Sequence, residues 1–169
     1  MVCFLFEQLA KYNNHFYLNV NKVDTLSSSA ILDYQLVSLA ERVLPRNVLD
    51  IGAGYGRWTF LITRHFTMEN RPDSTCIDIF EPYARELKKF ADNVLMASAT
   101  HLPFRDKTFD LVILCEVIEH QTKDLGRISI SEADRVSKTL IITTPTHPSK
   151  QNSYDGNVCQ KHVSIWDIF

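Results

Sequence analysis

Three of the five glycines in this 169-residue chain fall in one short run, Asp50-Ile-Gly52-Ala-Gly54-Tyr-Gly56. An apolar stretch, Val48 to Ile51, leads into it and an amphipathic stretch from Arg57 leads out. A strand that enters a glycine-rich turn and leaves as a helix lets a ligand approach the backbone closely. Spacing decides which ligand. A dinucleotide fingerprint needs Gly-x-Gly-x-x-Gly, and Arg57 stands where its third glycine would fall, which disfavours a Rossmann-type dehydrogenase. The next apolar run, Thr75-Cys-Ile-Asp-Ile79, carries Asp78 at its end, about 20 residues on, where a carboxylate can accept both hydroxyls of a ribose. Glu81 is the other acid there, but with Pro82 it reads as the start of a helix. A third group, Glu116-Val-Ile-Glu-His120, follows the strongest apolar run. His120 is a candidate general base, with a strand-capping or ligand-supporting histidine as the alternative.

These residues need a scaffold that brings strand ends together. Five apolar runs supply strand candidates: Val48–Ile51, Thr75–Ile79, Val94–Met96, Phe109–Cys115 and Thr139–Thr143. Their continuous apolar character fits parallel strands buried on both faces. Helical patterns occupy Arg57–Phe66, Pro82–Phe90 and Asp124–Val136, and a further helix over Ser28–Leu44 is closed by Pro45. Alternation of this kind predicts an α/β fold, a doubly wound, mostly parallel sheet flanked by helices, with ligands at the carboxyl ends of the strands. We expect a single domain over 1–169: N-terminal helices in 1–45, a cofactor-binding core in 46–145, and a loop and C-terminal segment in 146–169.

Composition narrows the function. The hydrophobic fraction of 45% is enough for one real core. A net charge of -2 gives no strong nucleic-acid signal. The four cysteines, Cys3, Cys76, Cys115 and Cys159, never fall as Cys-x-x-Cys, so a reduced, cytoplasmic protein is expected. Met1–Phe6 is apolar but too short for a signal peptide or membrane span, so no membrane partner is expected.

The ordered motifs resemble the class I, Rossmann-like S-adenosylmethionine-dependent methyltransferases. Asp50-x-Gly52-x-Gly54-x-Gly56 is similar to that family's first motif, whose loop wraps the methionine part of the cofactor. Its leading acid, here Asp50, fixes the loop and the cofactor's ammonium. Ala97-Ser-Ala-Thr-His-Leu-Pro-Phe104, then Phe109-Asp-Leu-Val112, is similar to the third-strand region. Ser98 stands there in place of an aspartate that often accepts the adenine amino group; a hydroxyl can accept too, without charge assistance. Glu116–His120, Glu132-Ala-Asp-Arg-Val136 and Ile141-Ile-Thr-Thr-Pro145 continue the likeness, which runs from Val48 to Pro145. It implies S-adenosylmethionine as cofactor, bound by Asp50, Gly52, Ala53, Gly54, Gly56, Asp78, Ile79, Ser98, Ala99, Cys115 and Glu116, with His120 as catalytic base.

The same likeness frames what stays open. Relatives that methylate the terminal 2'-hydroxyl of small RNAs, or ubiquinone-pathway hydroxyls, hold a divalent ion on a Glu-x-x-Glu-His run. Glu116, Glu119, His120 and His162 are the residues concerned; other relatives carry the run without an ion, and no metal ligand is assigned here. The Asp/Asn-Pro-Pro-Tyr/Phe of nucleobase amino-methylating enzymes and the Pro-Cys of cytosine-5 enzymes are absent after the fourth strand. That leaves small molecules, RNA hydroxyls and protein groups; a small molecule or a hydroxyl group is the expected acceptor, and Tyr154–Asn157 and Gln160–His162 are expected to help shape its pocket. A catalytically silent subunit that binds the cofactor and supports a partner is the alternative. The resemblance also predicts two further strands beyond the fifth, yet only a polar loop and Ile165–Phe169, read as a helix start, follow it. The expectation is a fold lacking the last two strands, with the exposed edge at Leu140–Thr143 covered by the C-terminal segment or by a second copy in a homodimer.

Overall fold

In β-strands successive side chains point to opposite faces, so a strand apolar at every position must be covered on both sides. The Phe109–Cys115 run obeys this. Leu111, Ile113 and Cys115 pack with Leu32, Leu36, Leu39 and Ile62 on one face, while Val112 and Leu114 pack with Ala133, Val136 and Trp166 on the other. All five of these strand residues are buried. The structure, a computed structural model, describes residues 32–145, 151–154 and 156–166, together with the backbone of 10–12, 15–20 and 27–31. Met1–Phe6 and the last three residues, read above as an apolar start and part of a helix, lie outside the described residues.

The elements run β1 (Ala10–Tyr12), β2 (His15–Val20), α1 (Ser27–Val43), β3 (Asn47–Ile51), α2 (Arg57–His65), β4 (Asp73–Asp78), α3 (Glu81–Leu87), β5 (Asn93–Met96), β6 (Phe109–Cys115), α4 (Lys123–Val136) and β7 (Ser137–Pro145). The strands form one sheet in the order β1-β2-β7-β6-β3-β4-β5. Pairing from β2 across to β5 is parallel, and only β1 with β2 is antiparallel. The doubly wound α/β reading and all five strands from Val48 onward are borne out. The helix before them is too, ending where Leu44 turns to φ 49° ahead of Pro45.

Two expectations are corrected at the other sheet edge. The N-terminal region is not helical throughout, because β1 and β2 form a hairpin ahead of α1. That hairpin takes the place beside the fifth strand, while among the described residues no strand element follows β7, as expected. β2 pairs in parallel with β7, from His15 opposite Leu140 to Val20 opposite Pro145. The edge at Leu140–Thr143 is thus covered neither by the C-terminal segment nor by a second copy, and the reason for a homodimer through it falls away. An edge strand's unmet N–H and C=O groups require a partner, and this chain recruits one from its own N-terminal side.

The loop after β5 is pinned by a charged clamp on α4. Arg135 donates from Nε to Glu132 Oε1 at 2.7 Å, and from Nη1 and Nη2 to the carbonyls of Phe104 (2.8 Å) and Leu102 (3.1 Å). Glu132 Oε2 in turn accepts from Leu102 N–H at 2.9 Å. The Arg135 hydrogen bonds hold the Glu132 carboxyl down at about 2. A depressed carboxylate contributes stability that is fully present above its unfolded value, 4.5, and lost as pH falls through the folded value. Both side chains are partly exposed, so solvent screening reduces the contribution to about 1–2 kcal/mol. Urea titrations from pH 5 down to about 2 should show the wild type losing that much more stability than Glu132→Gln; parallel pH profiles would rule the clamp out as a stabilising device.

Candidate functional site

The glycine turn after β3 is locked to β4. Gly52, Gly54 and Gly56 sit at φ 67°, 55° and 76°, the left-handed region that costs a side-chain-bearing residue free energy. Gly52 and Ala53 donate to Ile77 O at 2.9 and 3.1 Å. Gly54 N–H donates to Asp78 Oδ2 at 2.9 Å, and Phe80 N–H to Asp78 Oδ1 at 2.8 Å. Asp78 thereby ties the turn after β3 to the turn after β4. Burial raises its carboxyl while these backbone bonds oppose the rise. The Ile79 N–H adds a third backbone bond, and a carboxylate with about four lone-pair sites still has capacity for a ligand. Gly56 is fixed by packing instead: a Cβ there would run into the Phe90 ring.

Asp50 lies beneath the turn, 1% exposed. Its Oδ2 accepts from Thr59 Oγ1 at 2.6 Å and Thr59 N–H at 3.2 Å, anchoring the first turn of α2. Burial pushes its carboxyl up to about 6.

A cleft of about 310 Å³ opens over the carboxyl ends of the strands. Of the residues expected to bind cofactor, Gly52, Asp78, Ile79, Ser98, Ala99 and Glu116 line it, and His120 lines it with them. Asp50, Ala53, Gly54, Gly56 and Cys115 do not. Ala53 packs against Cys76 and Leu87, and Cys115 is buried behind the sheet. Glu81 is on the surface of α3, paired with Arg85, and His65 is paired with Glu41 away from the cleft. Thr100, Val117, Gln121 and Leu125 also line the cleft and were not anticipated. Asn157 and Gln160 do so from the two runs that were, and Cys159 between them does so too. Two larger hollows, of about 550 and 840 Å³, lie at the opposite, amino ends of the strands, around Asp110–Lys138 and Glu41–His65. They contain none of the glycine-loop residues, so the smaller cleft is the chemical one.

The Glu116–His120 run at the cleft wall begins on a strained residue. Glu116 takes φ 55°, a strained value for a residue with a side chain. Its N–H donates to Thr143 O at 2.9 Å, and its Oε1 accepts from Thr143 Oγ1 at 2.9 Å. Residues Ile118–His120 then form one 3₁₀ turn. The C-terminal segment straps this turn down. Val163 and Ser164 donate their N–H groups to Glu119 O, and Trp166 Nε1 donates to Ile118 O at 3.0 Å. Gly126 on α4 makes room, since a Cβ there would collide with the Trp166 ring. The strap sets the His162 ring 4.8 Å from that of His120.

Glu119 is 2% exposed; its Oε2 accepts from Thr144 Oγ1, but Oε1 is buried without a partner. Burial, and then the neighbouring Glu116 charge, raise its carboxyl. His120 Nδ1 is likewise buried without a partner. Burial lowers the His120 ring below its ordinary value, with hydrogen bonding to the backbone of Lys161 opposing and the His162 charge adding to the drop. The ring is therefore neutral around pH 7, the form that accepts a proton or binds a metal. Ligand atoms of Glu119, His120 and His162 lie within 4.8 Å of one another. Glu116, the fourth residue of the run considered for an ion, is not in that group.

Among the described residues no helix is long and apolar enough to cross a membrane. The methyltransferase domain family matches residues 49–140. Over 107 residues the chain is 35% identical to the malonyl-[acyl-carrier protein] O-methyltransferase of Geobacter sulfurreducens, a match covering 57% of this chain and 36% of that protein. It is 34% identical over 124 residues to an uncharacterized protein of Methanocaldococcus jannaschii, covering 72% and 52%. The chain thus spans about a third to a half of the length of these curated relatives. In fold it is similar to the PH0226 protein of Pyrococcus horikoshii, with a TM-score of 0.59 at 23% identity over 73% of this chain and 59% of that one. By its sequence match from β3 to β7 and by its sheet, the chain belongs to the methyltransferase domain family and has its class I, Rossmann-like fold.

Proposed function

We infer that the chain transfers a methyl group from S-adenosylmethionine to a hydroxyl group or another oxygen of a small molecule. The observation that carries this reading is the Gly54–Asp78 lock at the head of a cleft that His120 also faces. Bound there, the cofactor supplies an electrophilic methyl group, so the protein needs no nucleophile of its own. Its task is to align the acceptor oxygen in line with the departing sulfur and to remove the acceptor's proton. Asp78 holds the ribose end, the glycine turn receives the methionine end, and neutral His120 offers Nδ1 to the acceptor proton. The O-methyltransferase among the relatives fits an oxygen acceptor. The free thiols of Cys76, Cys115 and Cys159 fit a reducing, cytoplasmic setting.

Calorimetry with S-adenosylhomocysteine tests the cofactor half of the reading. Asp78→Ala should weaken binding by about 1.5–3 kcal/mol, and NAD should not bind. Turnover of labelled cofactor on a panel of hydroxyl acceptors separates an enzyme from a silent subunit. Binding of NAD in preference to the adenosyl ligand would overturn the proposal.

A second reading, in which a divalent ion at Glu119, His120 and His162 takes the His120 lone pair in place of the acceptor proton, is favoured by one specific observation. Two of the three carry buried ligand atoms with no partner, Glu119 Oε1 and His120 Nδ1, and the donor set of one carboxylate and two imidazoles suits such an ion. When bound it would acidify a hydroxyl acceptor. Glu116, held by Thr143, would stand beside that group and hold the turn.

A further inference from the structure

The peptide between Glu119 and His120 is held at both ends. Its N–H, on His120, donates to Val117 O at 3.1 Å. Its C=O, on Glu119, accepts from Val163 N–H at 2.8 Å and from Ser164 N–H at 3.1 Å. A peptide unit is planar, so bonds at both ends fix the direction in which His120 presents its side chain. Two of those three bonds come from the C-terminal strap, and Trp166 anchors the strap's end. The indole is 9% exposed and packs with Ala133 and Val136. Its Nε1–H meets Ile118 O at 3.0 Å and Ser164 Oγ at 2.8 Å, while Ser164 Oγ itself donates to Ile118 O at 3.2 Å. The ring lies over Gly126, where α4 carries no Cβ to displace it. A large apolar body with its one polar group satisfied suits an anchor. Trp166 itself does not line the cleft, but the segment it ends carries Asn157, Cys159 and Gln160 on the cleft wall and His162 beside His120.

We propose that Trp166 is a positioning residue for methyl transfer: latched over Gly126, it holds the strap that fixes the His120 ring against that of His162. The inference rests on the reading of His120 as the group that meets the acceptor proton. Trp166 acts through the Glu119–His120 peptide and touches neither cofactor nor acceptor. The aim of His120 matters because a displacement of about 1 Å at such a group can cost about 100-fold in rate.

Nuclear Overhauser contacts between the two imidazole rings test the latch on the folded chain without ligand. The ring signals are assigned by their loss in His120→Gln and His162→Gln, and the wild type should show a ring-to-ring contact. Trp166→Phe keeps an aromatic body over Gly126 but removes the N–H. Gly126→Ala displaces the indole while improving the helix propensity of α4. Each should lose the contact. In both, kcat on a hydroxyl acceptor should fall by about 10- to 100-fold, with S-adenosylhomocysteine affinity within about twofold of the wild type. Glu132→Gln, which loosens the clamp at the other end of α4, should keep the contact; its loss there too would reduce Trp166 to a general stabiliser and overturn the inference. No contact in the wild type, or one undiminished in Trp166→Phe and Gly126→Ala, would overturn it as well. Ser164→Ala, which removes one partner of the indole N–H, carries the test where those two variants fail to fold. It should weaken the contact, and an unchanged one would overturn the inference. The cofactor reading is decided separately, by S-adenosylhomocysteine binding to the wild type.

Discussion

Replacing Gly54 with valine is expected to weaken S-adenosylhomocysteine binding beyond detection, by about 100-fold or more, in a chain that still folds. A Cβ at position 54 would meet nothing within 4 Å, so the substitution creates no internal clash and fills only open space beside the loop. The cost to the fold is the left-handed φ of 55°, about 1–3 kcal/mol for a side-chain-bearing residue. Gly54→Ala serves as the control for that strain, since it shares the backbone cost while adding one methyl group. Gly56→Val should behave in the opposite way. Its Cβ would run into Phe90 and come within 2.7 Å of Leu87 Cδ2, so stability fails before binding can be measured. Melting curves alongside calorimetry separate the two outcomes. Full affinity in a folded Gly54→Val chain would remove the cofactor from this loop.

Chelation carries the second large expected effect. With an ion at Glu119, His120 and His162, excess EDTA should cut turnover by about 100-fold or more, and magnesium or manganese should restore it. A readout independent of turnover is available. Manganese should bind one ion per chain by calorimetry, and Glu119→Ala or His162→Ala should each lose that binding while retaining S-adenosylhomocysteine affinity. The expectation follows from the convergence of three ligands within 4.8 Å and from two orphaned ligand atoms, an arrangement a buried polar cluster does not keep without compensation. Full activity in chelator, with no manganese bound, would leave His120 as a metal-free base.

How much of this was legible in the sequence depends on how local each cause is. The glycine turn and the strand running into it are local: three glycines must sit where φ is positive, and every residue of Val48–Ile51 is buried. The β4 end at Asp78 is read from an apolar run with a single acid, and the parallel sheet from strands covered on both faces. Helix α1 is written in Leu32, Leu36, Leu39 and Ala40, all buried at helical spacing.

Tertiary structure decided the rest, because those features join residues far apart in the chain. That the edge of β7 needed cover could be seen from Leu140–Thr143; that His15–Val20 provides it could not. Pairing of a short strand is set by its partner's register, and that partner lies at the other end of the chain. The same holds for the site. His120 and His162 become neighbours only because Val163, Ser164 and Trp166 bind back onto the turn at Ile118 and Glu119. Gln121 carries no motif, yet folding sets it in the cleft lining with its Oε1 buried and unpaired. Local pattern determined the strands, the glycine turn and the acid behind it, because φ, periodicity and burial act over a few residues. Which distant groups meet, and which are left without partners, was decided by the packing of the whole fold.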